Sequence, residues 1–497
     1  MSDKNNAWEG LLSKGRRKKD AQVESNQSQP SADEASPSEE TRTEIERDYD
    51  RILFSTPLRR LADKTQVFPL DRNDSVRTRL THSYEVSNLA RSIGTTLAFN
   101  KKVAAEVENA LRDIPALLAA IGLAHDLGNP PFGHQGEAAI QSWFKTNSFI
   151  VFETTGNSFT QQQMQDFLKF EGNAQGFRLV TRLQLLNDNF GLDLTYATLA
   201  AMMKYPVSSV STNNEKNAPV AHKKHGFFAA EQHIAEAVLS KAGLKLGQRH
   251  PLAYVMEACD DIAYVVLDVE DAVKKGLSSF SDLMSFLRHH SGGDEMVEKV
   301  VAQSCEKHDQ YRAVESLSPA ELNDVSMQRF RVFAIGELVK TATDAFIRNE
   351  DKFLTGLIPA GLISLSGGET LRKLLKQFAL KHAYKHKSVL ELELQGYNVI
   401  TGLMDIFWAA IVDREDTLVS DSARRSPFTR YVYGRISENY RRVYENPTPE
   451  VQSLPMRYRD CLLLTDMISG MTDSYALNLF KELSALKGDF NLALIRN

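Results

Sequence analysis

PLAYVMEACDDIAYVVLDVEDAVKK, residues 251 to 275, decides the fold of this chain. Pro251 suits the first helical position, and Lys274-Lys275-Gly276 closes the segment with cations at the negative dipole end and a glycine cap. Glu257, Asp260, Asp261, Tyr264, Asp268 and Asp271 recur at steps of three and four, so a helix gathers them on one face. Leu252, Val255, Met256, Ile262, Val266, Leu267 and Val273 cover the rest. Such a helix wants burial on every side but the acidic one, which must face solvent or a site. Stacked carboxylates repel unless a cation sits among them. Taken alone, the stripe is more often the pattern of a solvated face.

The same helical period extends outward. Val86, Leu89, Ala90, Ile93 and Leu97 place one apolar stripe on a helix over 82–98. Residues 114–126 read as a nearly all-apolar helix stopped by Gly128-Asn129-Pro130-Pro131. No convincing period-two run is present, and the predicted class is all-α. Residues 1–45 are expected to be a disordered tail, because the basic knot KGRRKK (14–19) leads into Ser, Gln, Glu and Pro with few large apolar residues. Residues 206–226 and 413–428 read as mobile loops. No internal repeat is visible.

Composition excludes several classes. The chain has 497 residues, 42% hydrophobic and 25% charged, which is ordinary for a globular protein. A net charge of −5 argues against non-specific coating of nucleic acid. The three cysteines, Cys259, Cys305 and Cys461, suggest no disulfide framework. No apolar run is long enough for a membrane span and no signal peptide is visible, so the expected location is the cytoplasm.

Chemistry gathers around His125-Asp126, an imidazole and a carboxylate side by side where the apolar helix turns into its Gly-Asn-Pro-Pro loop. His82 opens a helix of its own. With one carboxylate of the acidic stripe, these residues make a two-imidazole, two-carboxylate set. That mixture suits Mg, Mn, Fe or another divalent ion rather than a structural zinc.

The flanking words are longer and more specific. Arg77-Thr-Arg79-Leu-Thr-His82-Ser, His125-Asp-Leu-Gly-Asn-Pro-Pro-Phe-Gly-His134-Gln-Gly-Glu137, Phe170-Glu-Gly-Asn173-Ala-Gln175-Gly and Glu257-Ala-Cys-Asp260-Asp-Ile-Ala-Tyr264 stand in that order. Together they resemble the bacterial deoxyguanosinetriphosphate triphosphohydrolase family of the HD-domain metal phosphohydrolase superfamily. Glu391-Leu-Glu393-Leu-Gln-Gly396-Tyr397 extends the likeness. The resemblance implies an HD-type helical core over 46–280 and a helical C-terminal region over 281–497 that completes the nucleotide pocket and the oligomer interface.

Roles carried over by the resemblance follow the motif positions. His82, His125, Asp126 and Asp260 match metal ligands for one divalent ion, Mg²⁺ or Mn²⁺. His134 and Glu137 match the catalytic pair, a capping or packing role being the competing reading. Gln66 and Arg79 match residues around the sugar and α-phosphate. Asn129 and Asn173 stand at positions that are His in some animal relatives. Lys204, Tyr205 and Lys224 match triphosphate contacts, although a surface lysine is usually just solvated. Tyr264 and Asp268 match the residues that exclude a ribose 2′-hydroxyl and bind the 3′-hydroxyl; positions i, i+4 and i+8 from Asp260 span about 12 Å of helix. Glu393 matches a base contact.

The implied activity is metal-dependent hydrolysis of dGTP, and of other dNTPs, to deoxynucleoside and tripolyphosphate. Two rivals stand beside it: a broader dNTPase or other HD nucleotide phosphohydrolase, and a regulator that senses nucleotides or single-stranded DNA. A homo-oligomer, tetramer or hexamer, is implied, with a dNTP or single-stranded DNA as effector. Arg424, Arg425, Arg430, Arg435, Arg441 and Arg442 with Tyr431, Tyr433 and Tyr440 could stack on and neutralise a strand, or could equally form a subunit interface.

Overall fold

The computed structural model describes residues 2–24, 40–68, 77–153, 159–184, 188–314 and 316–487. Among these the chain is helical throughout, with three isolated bridges and no strand. Its axis is the helix over Pro251–Lys274, here α8, buried along most of its length. Pro251 stands at its first turn, and His250 caps it by accepting the Leu252 N–H at 3.1 Å on Nδ1. The apolar residues that surround the acidic stripe in sequence are the ones that pack.

Four other helices build the site around α8. They are α4 (Arg79–Thr95), α5 (Ala110–Ala124), α6 (Gly133–Thr146) and α7 (Gly172–Arg178). α4 and α5 both pack against α8 and against each other. Their approach is close because Gly122 has no side chain: a Cβ there would come within 2.8 Å of the Ser87 backbone. Gly94 serves the same crossing from the other side, making room for Pro115. α4 begins three residues earlier than the hydrophobic stripe predicts, because Thr78 and Thr81 form a capping box that adds a polar first turn.

A C-terminal layer completes the body. It contains α9 (Glu369–Ala379), α10 (Lys387–Val412), α11 (Met456–Ser469) and α12 (Asp473–Leu486). α9 packs on α8, and α10 packs on α6, α11 and α12. One hydrophobic core runs from Trp8 to Leu483, so residues on both sides of position 280 share it. No helix among the described residues is long and apolar enough to cross a membrane.

Three sequence expectations need correction. The first concerns the N-terminus: within 1–45, Ser2–Leu11 (α1) and Arg17–Glu24 (α2) are helices, while 25–39 lie outside the described residues. Trp8, Leu11 and Leu12 are buried, and the Trp8 indole donates to Glu350 at 3.0 Å. His250, the α8 cap, bonds the Leu11 carbonyl at 3.0 Å. The basic knot is not all solvated either: Arg16 is buried between Glu44 at 2.7 Å and Asp48 at 2.8 Å, both on α3 (Glu44–Leu53). Low average hydropathy concealed three apolar residues at the right spacing.

The second correction concerns the two loops, which are anchored from within. Ser209 donates to Asp166 at 2.6 Å, and Arg414 pairs with Asp460 at 2.6 Å. The third concerns the Arg/Tyr stretch, of which part turns inward. Arg424 is buried with its guanidinium 3.5 Å from the Tyr433 ring centre, and Tyr433 and Tyr440 are buried too. Those side chains are spent on packing and do not present a stacking surface.

The N-terminal helix makes a testable contribution to stability. Trp8→Ala is expected to lower the unfolding free energy by about 3 to 5 kcal/mol, the usual loss for a large buried aromatic. Urea denaturation followed by circular dichroism measures it. A change within about 0.5 kcal/mol would mean that α1 rests on the body without stabilising it.

Candidate active site

Where α4, α5 and α8 converge, three ligand atoms from His82, His125 and Asp260 lie within 4.8 Å of one another. Asp260 Oδ1 is 3.1 Å from His82 Nε2 and 3.6 Å from His125 Nε2. His125 Nδ1 lies 2.7 Å from the Gly122 carbonyl, a contact that fixes the ring and turns Nε2 to the cluster. That Nε2 is buried and has no hydrogen-bond partner. Two imidazole nitrogens and a carboxylate, one nitrogen left unsatisfied, fit a divalent cation.

Asp126 stands at the rim of this cluster rather than inside it. Its Oδ2 is 3.5 Å from His125 Nε2 and only 2.6 Å from Arg79 Nη1, while Asn129 donates to Oδ1 at 2.5 Å. Burial opposes its ionisation, but Arg79 and His125 outweigh that and hold the Asp126 carboxyl at about 2. Asp260 is likewise held below the usual carboxylate range: burial opposes, and His125, His82 and Lys204 prevail. Both groups therefore stay anionic, as ligands of a cation must. Gly133 leaves the room that Arg79 needs, since a Cβ there would come within 2.6 Å of Nη2.

The Gly-Asn-Pro-Pro loop ends in two left-handed residues, Phe132 (φ 60°) and Gly133 (φ 56°), and α6 starts at once. His134 and Glu137 therefore fall one helical turn apart, with Nδ1 and Oε2 3.0 Å from each other. Glu137 is buried and its other oxygen accepts the Gly172 N–H at 2.8 Å. Burial would raise its pKa, but the His134 hydrogen bond and Lys224 pull it below the ordinary value. An anionic partner at Nδ1 orients the imidazole and leaves Nε2 to exchange protons. The His134 side chain is 83% exposed and lines the cavity.

That cavity has a volume of about 410 Å³. Of the residues given site roles from sequence, all but His82 and Asp268 line it. His82 lies beneath, with its ring turned into the ligand cluster. Asp268 is 2% exposed and is covered by Tyr384, whose hydroxyl donates to it. The Tyr384 ring also stacks on Tyr264, with centroids 5.9 Å apart. Burial raises the Asp268 carboxyl to about 7. Gln66 lines the cavity with a buried Oε1 that lacks a partner.

Lys204 and Lys224, at the cavity edge, are both paired. Lys224 contacts Glu171 at 2.8 Å, and Asn173 donates to the same carboxylate at 2.7 Å. Lys204 lies 3.4 Å from Glu257 and 3.7 Å from Asp260. Arg249, fully buried, holds this corner: it pairs with Glu257 at 2.6 Å, donates to the Lys204 carbonyl at 2.6 Å and stacks on Tyr205 and Tyr254. The lysines matched by resemblance to triphosphate contacts thus sit in ion pairs that a polyanion would have to displace.

Sequence reasoning missed Gln135, Glu171, Lys376, Tyr384 and Val389, all of which line the cavity, and Arg249 behind it. Glu171 could have been found, since it stands inside the Phe170-Glu-Gly-Asn173 word. Lys376, Tyr384 and Val389 come from a distant stretch and carry no spacing signal.

The family described as "HD domain" matches residues 79–171. A deoxyguanosinetriphosphate triphosphohydrolase-like protein of Listeria innocua is 34% identical over 487 residues, covering 96% of this chain and 99% of its own. The deoxyguanosinetriphosphate triphosphohydrolase of Klebsiella pneumoniae is 34% identical over 488 residues, covering 89% and 94%. That of Salmonella typhimurium is similar to the same extent, 34% over 488 residues.

The cluster predicts separable losses. After loading with Mn²⁺, His125→Ala is expected to lose the bound equivalent, while His134→Ala retains it, with elemental analysis as the measurement. A His125→Ala protein that still holds one full equivalent would place the metal elsewhere.

Proposed function

The chain belongs to the deoxyguanosinetriphosphate triphosphohydrolase family of HD-domain hydrolases, enzymes that depend on a divalent metal, and from that premise we propose that it hydrolyses dGTP, and other dNTPs with it, at the α-phosphate to deoxynucleoside and tripolyphosphate. The observation that carries the reading is a single cavity that joins an anionic nitrogen and oxygen ligand cluster, an oriented His–Glu pair and two lysines.

His82, His125, Asp126 and Asp260 would hold one Mg²⁺ or Mn²⁺, which as a Lewis acid supplies charge stabilisation at the α-phosphate. Arg79 adds a guanidinium beside Asp126, suited to the same phosphate oxygens. Lys204 and Lys224 leave Glu257 and Glu171 for the β- and γ-phosphates, exchanging one anionic partner for a more highly charged one. His134, aligned by Glu137, handles the proton: Nε2 takes it from the attacking water or returns it to the departing 5′-oxygen. Gln66 offers its unpartnered oxygen to the sugar side.

Selection of a deoxy sugar rests on Tyr264. It lies one turn after Asp260 and one turn before Asp268, and the Tyr384 ring backs it. A ribose 2′-hydroxyl against these rings would lose its water partners and clash. Glu393, near Gln135, lies on the cavity wall as an acceptor for a guanine N1–H and amino group.

The deciding assay supplies metal-depleted protein with Mg²⁺ or Mn²⁺ and each of the four dNTPs, singly and in pairs. Tripolyphosphate is the expected product, with dGTP the best single substrate; release of pyrophosphate or orthophosphate instead would overturn the reading. In the same assay His134→Ala is expected to lose about two to four orders of magnitude in turnover while still binding dGTP. Tyr264→Ala is expected to erase discrimination against GTP by about two orders of magnitude. A Tyr264→Ala enzyme that rejects GTP as strongly as its parent would remove the ring from sugar selection.

A further inference from the structure

The turn that presents His134 is held from outside the HD core. Asp473, the first residue of α12, is 2% exposed. One of its oxygens accepts the Phe132 N–H at 2.9 Å; the other accepts the Thr65 N–H at 2.9 Å and the Thr65 hydroxyl. A single carboxylate from the C-terminal helix thus joins the residue two before His134 to the residue before Gln66. Lys64 supports the same join, donating to the Asn129 carbonyl at 2.6 Å and to the Ser469 carbonyl at the end of α11 at 2.8 Å. Burial pushes the Lys64 ammonium down to about 7, and the Asp473 carboxylate opposes that fall.

What Asp473 grips is the costly part of the turn. Phe132 adopts a left-handed conformation (φ 60°, ψ 18°), which a bulky side chain seldom takes and which persists only where its surroundings impose it. The Phe132 ring is wedged against α10 at Gly396, where an added Cβ would come within 2.5 Å of it. Backbone and ring of this left-handed residue are therefore both fixed by the C-terminal layer. With Phe132 left-handed the chain enters α6 at Gly133, and the direction of that entry places the first turn, which carries His134.

We propose that Asp473, with Lys64 beside it and Gly396 behind the Phe132 ring, is a positioning residue that sets the His134 imidazole in the cavity for its proton-transfer step. The C-terminal helix is then part of the catalytic machinery without touching substrate. This assignment rests on the triphosphohydrolase reading above.

A double-mutant cycle in the intact chain tests it. Asparagine at 473 offers one acceptor and one amide donor, so one of its two sides meets an N–H donor-to-donor. Asp473→Asn is expected to lower kcat by about 10- to 100-fold with metal content unchanged. In the His134→Ala background the same substitution should cost less than about twofold, because the group it positions is gone. Gly396→Ala displaces the same turn from its other side without weakening the helix, and should show the same pattern.

A second readout is independent of turnover. The His134 ring resonance, assigned in histidine-labelled protein by its loss in His134→Ala, should shift in Asp473→Asn and in Gly396→Ala. An unmoved resonance, or a kcat loss that multiplies in full with His134→Ala, would overturn the proposal. Failure of the parent protein to release tripolyphosphate would instead strike the underlying reading, leaving the resonance to decide the positioning role.

Discussion

Asp260 sits where α4, α5 and α8 meet, and its carboxylate stays ionised there because two imidazoles and Lys204 surround it. A buried carboxylate without such partners would take up a proton, and the cluster would cease to attract a cation. The arrangement of the surrounding helices answers to this one constraint. α4 must cross α5 closely enough for His82 and His125 to reach the same oxygen, which is why Gly122 meets the Ser87 backbone. The acidic face of α8 must turn inward, which is why its remaining faces are apolar and covered.

Charge compensation continues outward from that point in pairs. Asp126 is matched by Arg79, Glu257 by Arg249 and Lys204, and Glu171 by Lys224. Each pair is partly shielded from water, so each ion is strongly dependent on its partner. These charges are therefore paired within the protein before a ligand enters. On the proposed function, a polyanion with its metal would be accommodated by re-pairing cations that are already in place. Carboxylates left behind at Glu171 and Glu257 would then need new donors, and Asn173 and Arg249 already contact them.

The helical core was legible in the sequence because a buried helix writes its own period. The stripe at 86, 89, 90, 93 and 97 and the acidic stripe from 257 to 271 each lie within one element, where neighbours in space are three or four residues apart. The His134–Glu137 contact was legible for the same reason. The N-terminal segment was not, because its three buried apolar residues are diluted by charged neighbours whose own burial depends on Glu44 and Asp48. The inward turn of Arg424 and Tyr433 was hidden likewise: a basic aromatic stretch reads the same whether its rings face water or one another.

The sequence by itself determined the all-α class, the two helices that carry His82 and Asp260, the abrupt end of α5 after His125 and the grouping of polar residues on one face of α8. Those features are local, and local spacing encodes them. Only the tertiary structure decided that Asp126 would lean on Arg79, that Tyr384 would cover Asp268, that Arg249 would brace Lys204 and that Asp473 would hold the turn before His134. These contacts join residues tens to hundreds of positions apart. The free energy of such a contact depends on how whole helices pack, so no periodic trace of it remains in the chain.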